Sequence, residues 1–394
     1  MTPRTAVVRR PRNRKAQIAT TAAELFCSRG YHNVGVDDIA DHVGITGPAI
    51  YRHFRNKQAI LDHAVGELCD SFTLAIRRAD DAESPSAALD TAVRELARQA
   101  VQRRSLGRLY QWEGRHLAEP DRVRVTEQMD QGVRRLRDLL LEVRPELNRS
   151  DAGYLTTAAL SVLASPATHR ARLATGRAED VVHGIAREVL ALRDLPPAAT
   201  AEAVRERSAG PMMPRRERLL AEAVRLFHLH GYHGVSVDDI GAAAGINASS
   251  VYRHFAGKAD LLAAVFYRAA ERLSVATADA LGAAGDAEAA LRALIAAYVR
   301  LILDQSDMAA VYVSENTNLP AADRHRLRGT QRRHVDTWVR LAGECRVPES
   351  PTRVRFRVHA ALNVVTDIAR GHRGRADVPR AGHLVTSILF GGGP

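Results

Sequence analysis

Apolar residues recur at helical spacing along nearly the whole chain. Ile18, Ala22, Leu25 and Phe26 fall at i, i+4, i+7 and i+8, one face of a helix that stops near Gly30. Leu219, Ala223, Leu226 and Phe227 repeat that stripe, and it stops near Gly231. A short helix is expected next, from Asp37 to Val43. In the second occurrence Ser236 precedes it with Asp239 three residues on, the spacing of a capping box; Gly35 holds the cap position in the first. Gly44 and Gly245 then stop these helices, where a tight turn needs a left-handed residue. Thr46 and Asn247 are placed to cap the following helices, expected to run to Phe54 and Phe255. A short helix, a glycine turn and a second short helix make a helix-turn-helix.

Further amphipathic helices are expected over 58–80, 85–103, 105–117, 121–143, 151–171 and 178–193, and again over 259–282, 286–304, 306–318, 321–346, 351–371 and 377–390. Between the two sets, 194–214 carries Pro196-Pro197, Gly210-Pro211 and Pro214 and reads as a linker. The pattern therefore predicts an all-α chain divided into an arm (1–15), a head (16–61), a body (62–193), the linker (194–214), a second head (215–262) and a second body (263–394).

The two heads are copies. From Gly30 to Leu61, 16 of 32 positions are identical to the residue 201 further on, among them Gly30-Tyr31-His32, Asp37-Asp38-Ile39 and Tyr51-Arg52-His53-Phe54. Fainter echoes persist in the bodies, where Tyr110, Glu113 and Leu117 correspond to Tyr312, Glu315 and Leu319.

Composition narrows the function. The chain has 394 residues, only 5% of them aromatic, a net charge of +11 and a pI near 10.1. The charge points to a polyanionic partner, nucleic acid or an anionic membrane surface, or else to a solvated basic surface. No run of about 18 apolar residues exists to span a membrane, and the basic N-terminus lacks the apolar segment of a secretion signal. Three scattered cysteines, Cys27, Cys69 and Cys345, fit a reducing cytoplasm.

Ile39-Ala40, Gly44-Ile45-Thr46, Ile50-Tyr51-Arg52-His53-Phe54 and Lys57 resemble the DNA-binding head of tetracycline-repressor-type (TetR family) regulators. So do Ile240, Gly245-Ile246-Asn247, Val251-Tyr252-Arg253-His254-Phe255 and Lys258. Pro48 and Ser249 depart from the pattern, standing where the family often has glycine. The chain is similar to the uncommon tandem members, including regulators of mammalian-cell-entry operons. The resemblance implies two TetR-like units in tandem, a cytoplasmic transcriptional regulator, and helical bodies that often enclose a small apolar effector. It also implies pairing through the last two helices of each unit, within one chain as a pseudo-dimer or between two chains as a homodimer. A linker of about 20 residues spans up to about 65 Å and permits the first.

On the reading helices, Ile50 and Phe54 are expected to face inward, as are Val251 and Phe255. That leaves Gly47, Pro48, Ala49, Tyr51, Arg52 and His53 outward, and likewise Ala248, Ser249, Ser250, Tyr252, Arg253 and His254. Hydroxyl and imidazole groups suit phosphate oxygens, and a guanidinium can bind a guanine edge bidentately. Lys57 and Lys258 are expected to hold phosphates at the start of the next helix. Arg10 and Arg12 belong to an acid-free arm that either enters a minor groove or adds general affinity. The first turns differ. Gly47, Pro48 and Ala49 offer only apolar contact, whereas the second copy offers hydroxyls, which predicts an operator with two unlike half-sites.

Tyr110, Trp112, Glu113 and Tyr154, and Tyr298, Tyr312, Glu315, Asn316, Trp338 and Asn363, are candidates to line an effector pocket or to form ordinary core. Glu113 and Glu315 are equally suited to structural pairing with Arg122 and Arg324. His228, His230 and His233 cluster at the end of a helix and in its turn, where a metal site is weighed against the fact that only His233 is repeated, as His32; no metal, cofactor or catalytic motif is readable. The sequence thus predicts double-stranded DNA as partner, no enzymatic activity, and repression released by an apolar effector. The alternative is effector-independent DNA binding of an autoregulatory or architectural kind.

Overall fold

The computed structural model describes residues 14–104, 107, 109–198, 212–345, 349–371 and 377–391. Residues 1–13, with Arg10 and Arg12, lie outside it, as do 199–211 of the linker and 392–394 at the end. The described residues are helical and contain no strand. Among them no helix is long and apolar enough to cross a membrane, and no cluster of His, Cys, Asp and Glu could hold a metal.

The chain divides into two compact units, Met1–Leu74 with Arg103–Gly132, and Ala75–Gln102 with Val133–Pro394. The first unit is built on helices α1 (Arg14–Arg29), α2 (Val36–Val43), α3 (Gly47–Ile50), the start of α4 (Lys57–Arg77), α6 (Leu109–Glu113) and the start of α7 (Glu119–Val143). Its core joins Ile18, Phe26, Ile39, Ile50, Phe54 and Leu61 of the head to Leu109, Leu117 and Val125. The second unit holds α5 (Pro85–Gln102), α8 (Arg149–Ala164), α9 (Thr175–Leu190) and everything from α10 (Arg215–His230) onward.

In that second unit the second head comprises α10, α11 (Val237–Ala243), α12 (Ala248–Val251) and the start of α13 (Lys258–Gly282). Its core, with Leu219, Phe227, Ile240, Val251 and Phe255, extends to Val311, Leu319 and Leu327. Those last three belong to α15 (Ser306–Glu315), the turn after it, and α16 (Ala321–Glu344). Each head is thus closed beneath by the same two elements of its body. The body is completed by α14 (Ala287–Asp304), α17 (Pro351–Gly371) and α18 (Val378–Phe390).

The helix expected over 151–171 stops at Ala164 and continues as a 3-10 turn, Ser165–Thr168. Pro166 has no N–H to continue the ladder and restricts the residue before it. The helix expected over 105–117 forms only as α6, followed by a 3-10 turn at Gly114–His116.

Within the second unit, α8 packs against α17, and α9 packs against both α17 and α18. Three polar links cross this seam. Arg357 of α17 donates to the Glu188 carboxylate of α9 at 2.5 and 2.8 Å. Arg380 of α18 donates to Asp151 of α8 at 2.7 Å and to the Pro196 carbonyl at 2.7 Å. Asn363 donates to the Ser161 carbonyl at 2.8 Å. His169 and His359 stack alongside, ring centroids 4.3 Å apart.

Candidate nucleic-acid interface

The reading turn is shaped from both ends. Gly44 adopts φ 72° and Gly245 φ 65°, the left-handed geometry expected of them. The chain doubles back there through Ile45 N–H to the Ala40 carbonyl (3.0 Å) and Ile246 N–H to the Gly241 carbonyl (2.8 Å). In the second head the capping box forms in full. Ser236 Oγ accepts from Asp239 N–H at 3.1 Å, and the Asp239 carboxylate accepts from Ser236 N–H at 2.8 Å. In the first head, glycine leaves half of it, Gly35 N–H donating to Asp38 at 2.7 Å. Glycine at 47 permits close packing on Asp37, since a Cβ there would lie 2.2 Å from Asp37 Oδ1.

The reading helices are shorter than expected. Regular α-helix covers only Gly47–Ile50 and Ala248–Val251, and the rest is turn, with His53 N–H on the Ile50 carbonyl at 2.9 Å and His254 N–H on the Val251 carbonyl at 2.8 Å. Asn247 caps as expected, its side chain accepting from Ser250 N–H at 2.9 Å. Thr46 sits at the cap position without a side-chain hydrogen bond.

Ile50 and Phe54, and Val251 and Phe255, are buried. Pinned between them, Tyr51 is 56% and Tyr252 55% exposed, and Arg52, His53, Arg253 and His254 are exposed with them. Pro48 and Ser249 are exposed, while Gly47 and Ala49 are half-buried. Ser250 corrects the expectation. It is only 7% exposed, and its hydroxyl accepts from Arg253 Nη2, so it is not free to meet a base. Its place one residue before the Val251 anchor and three after the cap turns it toward the head. Arg52 has no such tether among the described residues, so the two arginines leave their heads differently.

Lys57 and Lys258 also correct the expectation. The Lys57 ammonium donates to the Tyr31 and Val34 carbonyls, both at 2.9 Å, and lies 4.3 Å from the Tyr31 ring centre. Lys258 repeats this on the Tyr232 and Val235 carbonyls at 2.8 and 2.7 Å, with the same 4.3 Å ring contact. Burial lowers both ammonium pKa values, partly offset by nearby Glu113 in the first head and by Asp239 and Glu315 in the second. These side chains bolt the turn before α2 to the next long helix. Lys57→Met or Lys258→Met is therefore expected to lower stability by about 1–3 kcal/mol, because two carbonyls lose their donor. The salt slope of DNA binding should stay as in the parent. A slope smaller by about 1, with stability unchanged, would restore the phosphate role.

Different cations flank the turns. Lys15 lies 5.4 Å from the Phe54 ring centre and Arg216 5.2 Å from that of Phe255, both exposed. Lys15 falls in the arm expected from the sequence, but α1 begins at Arg14. The signal lies in the repeat, because 15 and 216 are separated by the same interval as its two copies.

The candidate effector residues separate into several places. Glu113 accepts from Tyr31 N–H at 3.3 Å and lies 3.7 Å from His116 Nε2. Glu315 accepts from Asn318 at 2.8 Å, and Asn318 meets His233 Nε2 at 3.0 Å. Both glutamates thus join α6 or α15 to the head, in place of the expected pairing with Arg122 and Arg324. Arg122 pairs with Glu119, and Arg324 donates to the Thr317 carbonyl at 3.3 Å. Asn316 donates locally to the Val313 carbonyl. Tyr110 approaches Thr126 at 3.5 Å, and Trp112 is buried. Tyr154, under the Arg380 guanidinium at 5.6 Å, and Asn363 belong to the seam.

Tyr298 and Trp338 come together in the second body, ring centroids 5.5 Å apart, joined by His334, which sequence analysis did not single out. Trp338 Nε1 donates to His334 Nε2 at 2.9 Å. Burial holds His334 down to about 4 and lifts Tyr298 to about 12. Tyr312 packs edge-on to Phe266 at 5.2 Å.

Comparison with family models finds the same domain at both heads. Residues 18–64 and 219–265 each match the domain described as bacterial regulatory proteins, tetR family, and 284–369 match a tetracyclin repressor-like C-terminal domain. The chain is 38% identical over 78 residues to the HTH-type transcriptional activator FasR of Mycolicibacterium smegmatis, covering 18% of this chain and 36% of that protein. It is 32% identical over 60 residues to the transcriptional repressor KstR2 of the same species, covering 15% and 29%. The matched stretches thus span about a third of these relatives. Among solved structures, KstR2 of Mycobacterium tuberculosis aligns with a TM-score of 0.42 at 23% identity, over 47% of this chain and 98% of that one. PfmR of Thermus thermophilus aligns with a TM-score of 0.42 at 24% identity, over 46% and 99%. This chain carries the DNA-binding domain of the TetR family twice, and its second half also matches a C-terminal domain of tetracycline-repressor type.

Proposed function

We propose that this regulator reads an operator of two unlike half-sites with the two heads of a single chain, paired through α8–α9 and α17–α18, and represses by occluding a promoter. The observation that carries this reading is the pair of exposed Tyr-Arg-His turns on differing first turns. One has Pro48 beside Arg52, which has no tether among the described residues; the other has Ser249 beside an Arg253 held by Ser250. An apolar effector acts on this equilibrium by binding more tightly to a geometry that releases DNA. The curated relatives include both an activator and a repressor, so the sign of regulation rests on promoter occlusion alone.

A second reading, DNA binding without an effector, draws support from the candidate pocket residues. Trp338, Glu315, Asn316 and Asn363 all spend their polar groups on the protein's own hydrogen bonds.

The test is footprinting upstream of the protein's own gene with Arg52→Ala and Arg253→Ala. Each substitution is expected to weaken binding by about 1–3 kcal/mol and to relax base preference in a different half-site. A palindromic footprint whose halves respond equally to both substitutions would sink the proposal. An effector that lowers occupancy in vitro would decide between the two readings.

A further inference from the structure

We infer that the α17–α18 face docks only on α8–α9 and refuses a second copy of itself, with Arg357 and Arg380 as the residues that decide the partner. This deepens the intramolecular pairing proposed above.

The apolar part of the seam does not discriminate. The buried stripe of α8, with Ala152, Ala158 and Val162, is matched in register by Val354, Ala360 and Val364 of α17. That of α9, with Ala178, Val182 and Ile185, is matched by Ala381, Val385 and Ile388 of α18. On these contacts alone, like halves would pair as well as unlike ones.

The charges are one-sided. Arg357 is 8% exposed, and its two shortest bonds cross the seam to Glu188. In the matching register its counterpart is Leu155, and the counterpart of Glu188 is Gly391. Arg380 is 5% exposed and crosses to Asp151. Its counterpart is Arg177, which is exposed, and that of Asp151 is Arg353. Two α17–α18 faces placed together would therefore set Arg380 against Arg353 and Arg357 against Gly391. Glu349 and Asp377 remain beside these arginines within the same half, each at 3.4 Å, but the shorter bonds across the seam have no replacement. A buried guanidinium stripped of its closest carboxylate is strongly disfavoured. The converse is milder, because Asp151 and Glu188 keep side-chain exposures of 19% and 37% and can be hydrated. The bar to self-pairing thus lies on the second half.

The experiment uses the whole chain with a protease site inserted within 201–210, folded first and then cut, and followed by native mass spectrometry. Cut protein should remain as unlike pairs. Mixing with isotope-labelled cut protein should exchange partners only into unlike pairs. In Arg357→Leu combined with Arg380→Ala, which replaces both charges with neutral side chains, second-half homodimers should become at least about tenfold more abundant relative to unlike pairs. Far-UV circular dichroism checks that the variant keeps its helix content. Second-half homodimers from the unsubstituted protein would overturn the inference, and so would their absence from the folded double variant. Should that variant fail to fold, Glu188→Lys supplies the decision. It should separate the halves after cutting, and undiminished 1:1 association would overturn the inference. No DNA enters the assay, so its failure is distinguishable from failure of the operator reading.

Discussion

Truncating Trp338 to alanine is expected to lower stability by about 3–5 kcal/mol, the cost of emptying a large aromatic site in a packed core. The indole is fully buried on α16. It packs edge-on to Tyr298 and donates to His334, so the substitution leaves both a void and a histidine nitrogen without its donor. The first body places Leu136 at the repeat-related position, also buried, where the loss is of aliphatic contact alone. Urea unfolding followed by far-UV circular dichroism measures the loss. A cost under about 1 kcal/mol would mean that the indole lines an open pocket. Trp338→Phe refills most of the volume but not the hydrogen bond, and should cost about 1–3 kcal/mol less than alanine.

Acid should destabilise the second body through His334. Burial holds the folded imidazole down to about 4, below its ordinary value of 6.5. Between those values the unfolded chain binds a proton that the folded chain does not. Stability is therefore fully present above about pH 6.5 and falls as the pH drops toward about 4, below which the effect levels off. The accumulated loss is about 3 kcal/mol. His334→Gln removes the titrating group and should flatten this part of the pH–stability curve, as read by urea midpoints at pH 7, 5.5 and 4.5. Equal slopes in both proteins would show that the imidazole titrates in water.

The helices and both heads were legible because their signals are local. The stripe of Ile18, Ala22, Leu25 and Phe26, the glycines at 44 and 245 and the spacing of Ser236 and Asp239 each fix a few neighbouring residues. The anchors Ile50 and Phe54 likewise settle that Tyr51, Arg52 and His53 face out. What stayed hidden depends on which side chain closes on which group, in two of three cases between residues far apart in the chain. The lysine of each head resembles a phosphate ligand until Tyr31 and Val34, or Tyr232 and Val235, fold beneath it. Ser250 looks like an outward hydroxyl until Arg253 closes on it. Asn363 suits a pocket by type, yet its partner is a carbonyl 202 residues earlier. Periodicity reports which side of a helix is covered, and it is silent on what does the covering.

The lysine bolt in the second head has a mechanical consequence. Lys258 is the first residue of α13, a helix of 25 residues and so about 37 Å long. A tilt of about 5° pivoted at the far end would carry Lys258 sideways by about 3 Å. With its ammonium clamped to Tyr232 and Val235, that displacement passes to the neighbouring turn without slack. A tilt of the long helix is therefore expected to move the turn that Lys258 holds.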